Sequence, residues 1–230
     1  MHAREGSGDE DGRGRLGEGR APDVIFSDLM ARILAGQITP GTILSELAIA
    51  DAYRVSRTPV REALQRLQAA GLAERGPRRA FMVRRLDLET LNDLFETMGE
   101  LEAVCAELSA RRMTAVERRE LQAIVAEGAA CAERGDAAAY VDVNVRFHAA
   151  LFAGAHNDSL RDVVTGVRMR TAPYREVQFH HTERLNSSQE EHARILAAIL
   201  AGDPVAARES TRAHVASTAI NVAQMLRRAG

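Results

Sequence analysis

The sequence predicts a mainly α protein: an N-terminal winged helix-turn-helix, in which a small β-hairpin accompanies the helices, followed by an all-α antiparallel helical bundle. Three observations lead there. The composition is 46% hydrophobic but only 4% aromatic, without Trp, a mixture that favours helices packed through Ala, Leu and Val over a sheet protein. Apolar residues recur at helical spacing through most of the 230 positions, the primary sign of amphipathic helix. Paired strand-like runs around a turn are read at one place, between Leu72 and Arg84. A chain of this length builds one large or two small domains, each with enough core to fold.

Residues 1–22 mix Gly with Arg, Glu and Asp without apolar period, as expected of a disordered tail. From Asp23 to Gln37, the residues Val24, Ile25, Leu29, Ile33 and Leu34 fall at helical spacing, with Gly36 near the end, which predicts the first helix. Ile38–Ile43 reads as a turn. Leu44–Tyr53 is a second amphipathic helix, and the Arg54-Val55 connection after it has the spacing of a helix-turn-helix. The next helix runs from Ser56 to Ala70 and is closed by Gly71. Ser56 can cap it, and Pro59 sits in its first turn, where a missing N–H breaks no helical bond. Val60, Leu64 and Leu67 turn inward and leave Arg57, Thr58, Arg61 and Gln65 on the opposite face. Leu72–Arg75 and Ala80–Arg84 then read as two strands around the basic tip Gly76-Pro77-Arg78-Arg79.

The domain boundary is placed at Arg85-Leu86, so that residues 23–85 form a head and 86–230 a bundle. Six helices are expected in the bundle, over 87–112, 115–134, 137–154, 158–179, 184–201 and 204–228. Gly135-Asp136, His156-Asn157-Asp158 and Gly202-Asp203-Pro204 punctuate them.

Charge separates the two parts. The formal net charge is −2, yet Tyr53–Arg85 holds nine Arg against two Glu, a net of +7, while Leu86 to the end carries −5. A basic front is the electrostatic footprint of a surface that meets phosphates. All 30 basic residues are Arg. No apolar run spans a bilayer and no secretory signal is read, so a cytoplasmic protein without membrane contact is expected. Cys105 and Cys131 fall inside helical patterns, as buried unpaired thiols do.

Pro40-Gly-Thr-Ile-Leu-Ser-Glu46, followed by Val55-Ser-Arg-Thr-Pro-Val-Arg-Glu-Ala-Leu64 and Gly71-Leu72, closely resembles the winged-helix domain of the GntR family of bacterial transcription regulators. Two departures stand out. Arg54 occupies the turn where the family usually has Gly, which implies a non-Gly residue in a left-handed conformation, and Arg79-Ala80 stands where the wing usually carries Gly. The resemblance implies a homodimer reading double-stranded, pseudo-palindromic DNA. Arg57, Thr58 and Arg61 would enter the major groove, and Ser56, Arg78 and Arg79 would meet the backbone or minor groove.

In the bundle, Asn144 and His148 lie four residues apart on one helical face, while His192 and His214 lie on the last two helices. Three neutral imidazoles and an oxygen donor suit zinc or nickel. Asn144-x-x-Phe-His148 with Leu151, Asn157-x-x-Leu160, Glu191-His192 with Ile195, Gly202-Asp203 and His214 resemble the FCD ligand-binding domain of the FadR branch of that family, in its six-helix, VanR-like form. The resemblance implies Asn144, His148, His192 and His214 as metal ligands. Where metal-binding members carry Asp, Asn144 brings no charge, which weakens the ion's affinity. Many relatives also place an Arg at the position of Met98, suited to a carboxylate effector. Arg168 or Arg170 on the fourth bundle helix is a substitute cation, although surface exposure is the simpler expectation for both. His156, His180 and His181 match no marker and are expected on the surface or in loops.

The function expected is thus a DNA-binding regulator whose operator affinity is set by a small carboxylate at a metal-containing pocket. A DNA-binding regulator with no metal or effector is one alternative. A metal-dependent hydrolase is another, disfavoured because no Glu or Asp is tied to the histidines by motif as a general base and the winged-helix head would go unexplained.

Overall fold

The computed structural model describes residues 20–175, 178–179 and 182–229. Most of the expected N-terminal tail therefore lies outside the described residues, as do His180 and His181. Among the described residues no helix is long and apolar enough to cross a membrane.

The head contains α1 (Ala21–Leu34), β1 (Ile43–Leu44), α2 (Glu46–Tyr53), α3 (Arg57–Ala69), β2 (Ala73–Arg75) and β3 (Phe81–Val83). Helix α1 starts two residues before the expected position, because Ala21 is buried and Pro22 falls in the first turn, where its fixed φ is already helical. The segment read as a turn ends in a strand: Ile43 and Leu44 pair antiparallel with Met82 and Phe81. Strand β3 pairs on its other edge with β2, in the register Ala73↔Val83 and Arg75↔Phe81, so the sheet order is β1-β3-β2. Val60, Leu64 and Leu67 of α3 close on Ile25, Leu29, Ile33, Phe81 and Val83 to form the head's core.

Two tight turns carry the departures from glycine. Arg54, between α2 and α3, has φ 55°, and Arg78 and Arg79 at the wing tip have φ 54° and 61°. Each holds a non-Gly residue in the left-handed region, which is sterically unfavourable for an L-residue.

The bundle consists of α4 (Leu88–Arg112), α5 (Ala115–Arg134), α6 (Ala137–Gly154), α7 (Asp158–Arg175), α8 (Thr182–Ala201) and α9 (Pro204–Ala229). The stops and starts are local chemistry. Thr114 and Glu117 form a reciprocal capping box at α5, and Gly135 ends that helix at φ 66°. Asp87, Asp136, Asn157 and Asp203 accept from backbone N–H groups at the starts of α4, α6, α7 and α9. Helix α4 touches α6, α7, α8 and α9, and so runs through the middle. Cys105 and Cys131 are buried and unpaired.

Helix α7 is described to Arg175, residues 176–177 of the expected 158–179 span lie outside the described residues, and Gln178 and Phe179 are helical. Helix α7 joins the two parts of the chain. Met169 packs on the head's core, the Arg170 side chain stands against Gly71, where a Cβ would meet it at 3.3 Å, and the Tyr174 hydroxyl accepts a hydrogen bond from the Leu86 N–H at 2.8 Å.

Candidate functional site

On the head, α3 exposes Arg57, Thr58, Arg61 and Gln65 along one face. Ser56 occupies the cap position, but its side chain makes no capping bond and is exposed. The two arginines are held by one carboxylate: Arg61 donates to Glu46 through Nε at 3.1 Å and Nη2 at 3.2 Å, and Arg57 Nη2 lies 3.5 Å from the same group. The bond from Arg61 draws the Glu46 carboxyl below its usual range. Both guanidinium groups remain open to a partner, the Arg61 side chain being 56% exposed. Arg78 and Arg79 stand exposed at the wing tip. There Arg75 donates to the Arg79 carbonyl at 2.9 Å and covers the Phe81 ring.

Inside the bundle, α6, α8 and α9 bring His148, His192 and His214 together: one ring nitrogen of each lies within 4.8 Å of the others. All three side chains are buried. Burial pushes every one of these imidazoles down, with nearby Arg168 next for His148, which falls to about 3. They are therefore neutral near pH 7, the state a metal requires.

Their hydrogen bonding is incomplete in a telling way. Glu191, itself held by Arg184 at 3.0 Å, faces His214 Nδ1 at 2.7 Å, which leaves Nε2 as the ligand nitrogen. The Tyr140 hydroxyl lies 3.5 Å from His192 Nδ1 and Phe147 stacks on that ring, whereas His192 Nε2 has no partner. Neither nitrogen of His148 has one. Buried, unpartnered imidazole nitrogens are rare in native interiors, and three converging neutral rings fit a borderline divalent ion. Asn144, one turn before His148, is buried and lines a cavity with Met98, Arg168, Arg175, Gln178, His214 and Val215.

One expectation needs correction. Arg168 is not a surface residue: its side chain is 12% exposed and donates to Glu102 Oε1 at 2.6 Å. The histidines do have acidic neighbours, Glu102 and Glu191. Burial, the largest influence, would raise the Glu102 carboxyl, but Arg168 together with His148 and His214 outweighs it and holds the group well below the carboxylate range. Met98 is fully buried, with the Thr171 hydroxyl 3.5 Å from its sulfur, and offers the cavity an apolar wall. His156 is exposed and pairs with Glu117.

Glu102, Glu191 and Arg175 were absent from the sequence-derived site. A signal existed for Glu102: it falls in the inward stripe Leu91, Phe95, Met98, Glu102, Cys105, Ser109, so helical phase alone aims a carboxylate at the core.

Comparison with known proteins agrees with this layout. Residues 23–83 match the family described as bacterial regulatory proteins, gntR family, and residues 93–217 match the FCD domain. The Nta operon transcriptional regulator of Aminobacter aminovorans is 31% identical over 170 residues, 73% of this chain and 79% of that protein. The HTH-type transcriptional regulator McbR of Escherichia coli is 27% identical over 149 residues, 65% of this chain and 67% of that protein. The solved structure of E. coli McbR/YncC superposes with a TM-score of 0.79 at 24% identity, over 90% of this chain and 98% of that one. A GntR regulator from Rhodococcus sp. RHA1 gives 0.74 at 21% identity, again over 90% and 98%. These relatives are transcription regulators, not enzymes, and the hydrolase alternative falls away. The chain belongs to the GntR family of bacterial regulatory proteins, as a DNA-binding transcription regulator that carries an FCD domain behind its winged helix-turn-helix head.

Proposed function

We propose that the chain works as a homodimer, reading a pseudo-palindromic operator and releasing or gripping it according to a small carboxylate bound in the FCD cavity at a zinc or nickel ion. Arg57, Thr58 and Arg61 read base edges, since an arginine fork matches guanine O6 and N7. Ser56, Arg78 and Arg79 meet phosphates or the minor groove. His148, His192, His214 and Asn144 hold the ion. The observation that carries this reading is the set of three buried, neutral histidines whose ring nitrogens converge within 4.8 Å, with unpartnered nitrogens on His148 and His192.

Charge supports a carboxylate. Around the histidines, Glu102 and Glu191 are matched by Arg168 and Arg184, so an ion held by neutral ligands leaves its two positive charges uncompensated in a buried site. An anionic ligand removes that imbalance. When bound, the ion supplies a Lewis-acid anchor for the carboxylate. Arg168 supplies a cation beside it and Met98 an apolar wall. Because Arg168 and the head-facing Met169 and Arg170 sit on one helix, a ligand that engages Arg168 differently in two arrangements of α7 also biases the heads.

The test is metal content and thermal midpoint before and after chelation, with small carboxylates added to both forms. Stoichiometric zinc or nickel, stabilisation by carboxylates only when metal is loaded, and loss of metal and of effector response in His192→Ala are expected. Full metal content in His192→Ala, or none in the wild type, refutes the metal reading and leaves the DNA-binding assignment standing.

A further inference from the structure

Glu102 is 0% exposed, and only half of its carboxylate is accounted for. Oε1 accepts from Arg168 at 2.6 Å. Oε2 lies 3.0 Å from His148 Nδ1, yet neither this oxygen nor either nitrogen of His148 has a hydrogen-bond partner. Two unsatisfied polar groups facing each other in a dry interior are unfavourable, since each forfeits its hydration without return. One arrangement resolves both. His148 in its Nδ1–H tautomer, turned slightly, donates to Oε2 and frees the Nε2 lone pair. On α9 the same arrangement already stands: Glu191 Oε2 lies 2.7 Å from His214 Nδ1.

We propose that Glu102 is a positioning residue of the metal centre, fixing the tautomer and ring angle of His148 so that Nε2 faces the ion beside His192 and His214. The inference rests on the metal reading above. Ligating histidines commonly donate their second nitrogen to a carboxylate, which orients the ring and raises its basicity. Arg168 holds the other oxygen, so Glu102 stands between the ion's His148 and the cation that faces the effector.

The experiment measures zinc affinity by chelator competition in the full chain for wild type, Glu102→Gln, His148→Ala and the double variant, with Glu102→Asp as the conservative form. Gln keeps an acceptor for Arg168 but can present an amide N–H to His148, which does not orient it as a carboxylate does. A loss of about 10- to 100-fold in Glu102→Gln is expected, with partial recovery in Glu102→Asp. Adding Glu102→Gln to His148→Ala should cost less than about twofold more, because the effect passes through His148. If Glu102→Gln fails to fold, Glu102→Gln/Arg168→Gln, which removes both charges of the pair, carries the same readout. Zinc affinity within about threefold of wild type in Glu102→Gln overturns the proposal, as does an undiminished loss in the His148→Ala background. A wild type that takes up neither zinc nor nickel overturns this inference together with the metal reading; tight wild-type binding with an indifferent Glu102→Gln overturns this inference alone.

Discussion

Mild acid should destabilise the metal-free protein through two histidines. His148 and His192 are buried, and burial holds the first at about 3 and the second well below its ordinary value. In the unfolded chain both titrate near 6.5. Below that pH the unfolded state takes up protons that the folded state refuses, so stability is whole above about pH 7 and falls on acidification. Between pH 7.5 and 5.5 each histidine loses about 1.4 kcal/mol of stability, and the pair about 3 kcal/mol. That is a large share of the 5–15 kcal/mol, roughly, that folded domains possess. His214 acts in the same direction, moderated by Glu191. Glu102, held low by Arg168, adds a further loss only below about pH 4.5, where its unfolded form protonates. Urea unfolding followed by far-ultraviolet ellipticity, with chelator present and chain concentration fixed, measures the effect. A change under about 1 kcal/mol, or the same loss in a His148→Gln/His192→Gln variant, would refute the reasoning. With zinc bound, stability at pH 7.5 should rise and its fall in acid should steepen, because protons then displace the ion as well.

Other predictions concern the head and the junction. Arg61→Ala should lower affinity for an operator selected from random duplexes by about 1–3 kcal/mol per half-site and relax discrimination at one base, read by fluorescence anisotropy. A uniform loss with a shallower salt dependence would reassign Arg61 to a phosphate. Arg79→Ala, by contrast, should weaken all duplexes alike and reduce the salt slope by about one per wing. Tyr174→Phe strands the buried Leu86 N–H and should lower the thermal midpoint through a loss of about 1–3 kcal/mol; an unchanged midpoint would mean that the linker finds another acceptor.

Where the residues carry their own stop signals, the sequence was readable. Thr114, Gly135-Asp136, Asn157 and Gly202-Asp203 all act as caps, so the bundle helices lie close to where they were expected. The wing was legible because two strand-like runs flank a turn-forming tip, and Arg54 was identifiable as a left-handed residue because it stands where the family it resembles usually has Gly. Strand β1 was not: two residues have no period, and only Met82 and Phe81, far along the chain, make them a strand. The three histidines and Asn144 were singled out because residue type and the motifs of the resembled family mark them. Glu102 escaped, and Arg168, though named as a candidate cation, was expected at the surface, because charged residues in amphipathic helices are ordinarily solvated; their partnership across α4 and α7 makes burial tolerable, and a partnership between residues 66 positions apart leaves no local trace.

Helix α7 is one wall shared by two rooms. Arg168, Thr171 and Arg175 belong to the interior around the cavity, while Met169 and Arg170 press on the head and Tyr174 holds the junction. A side chain changed on this helix to admit a new ligand also alters the footing of the DNA-binding surface. Met98 on α4 and Val215 on α9 border the same cavity; they pack in the cluster that includes Tyr174 and Leu86, but neither belongs to α7 nor bears on the head directly. Retargeting the protein to another small molecule should therefore begin at residues 98 and 215, with α7 left as found: ligand preference can then be redrawn while the wiring to the operator is kept.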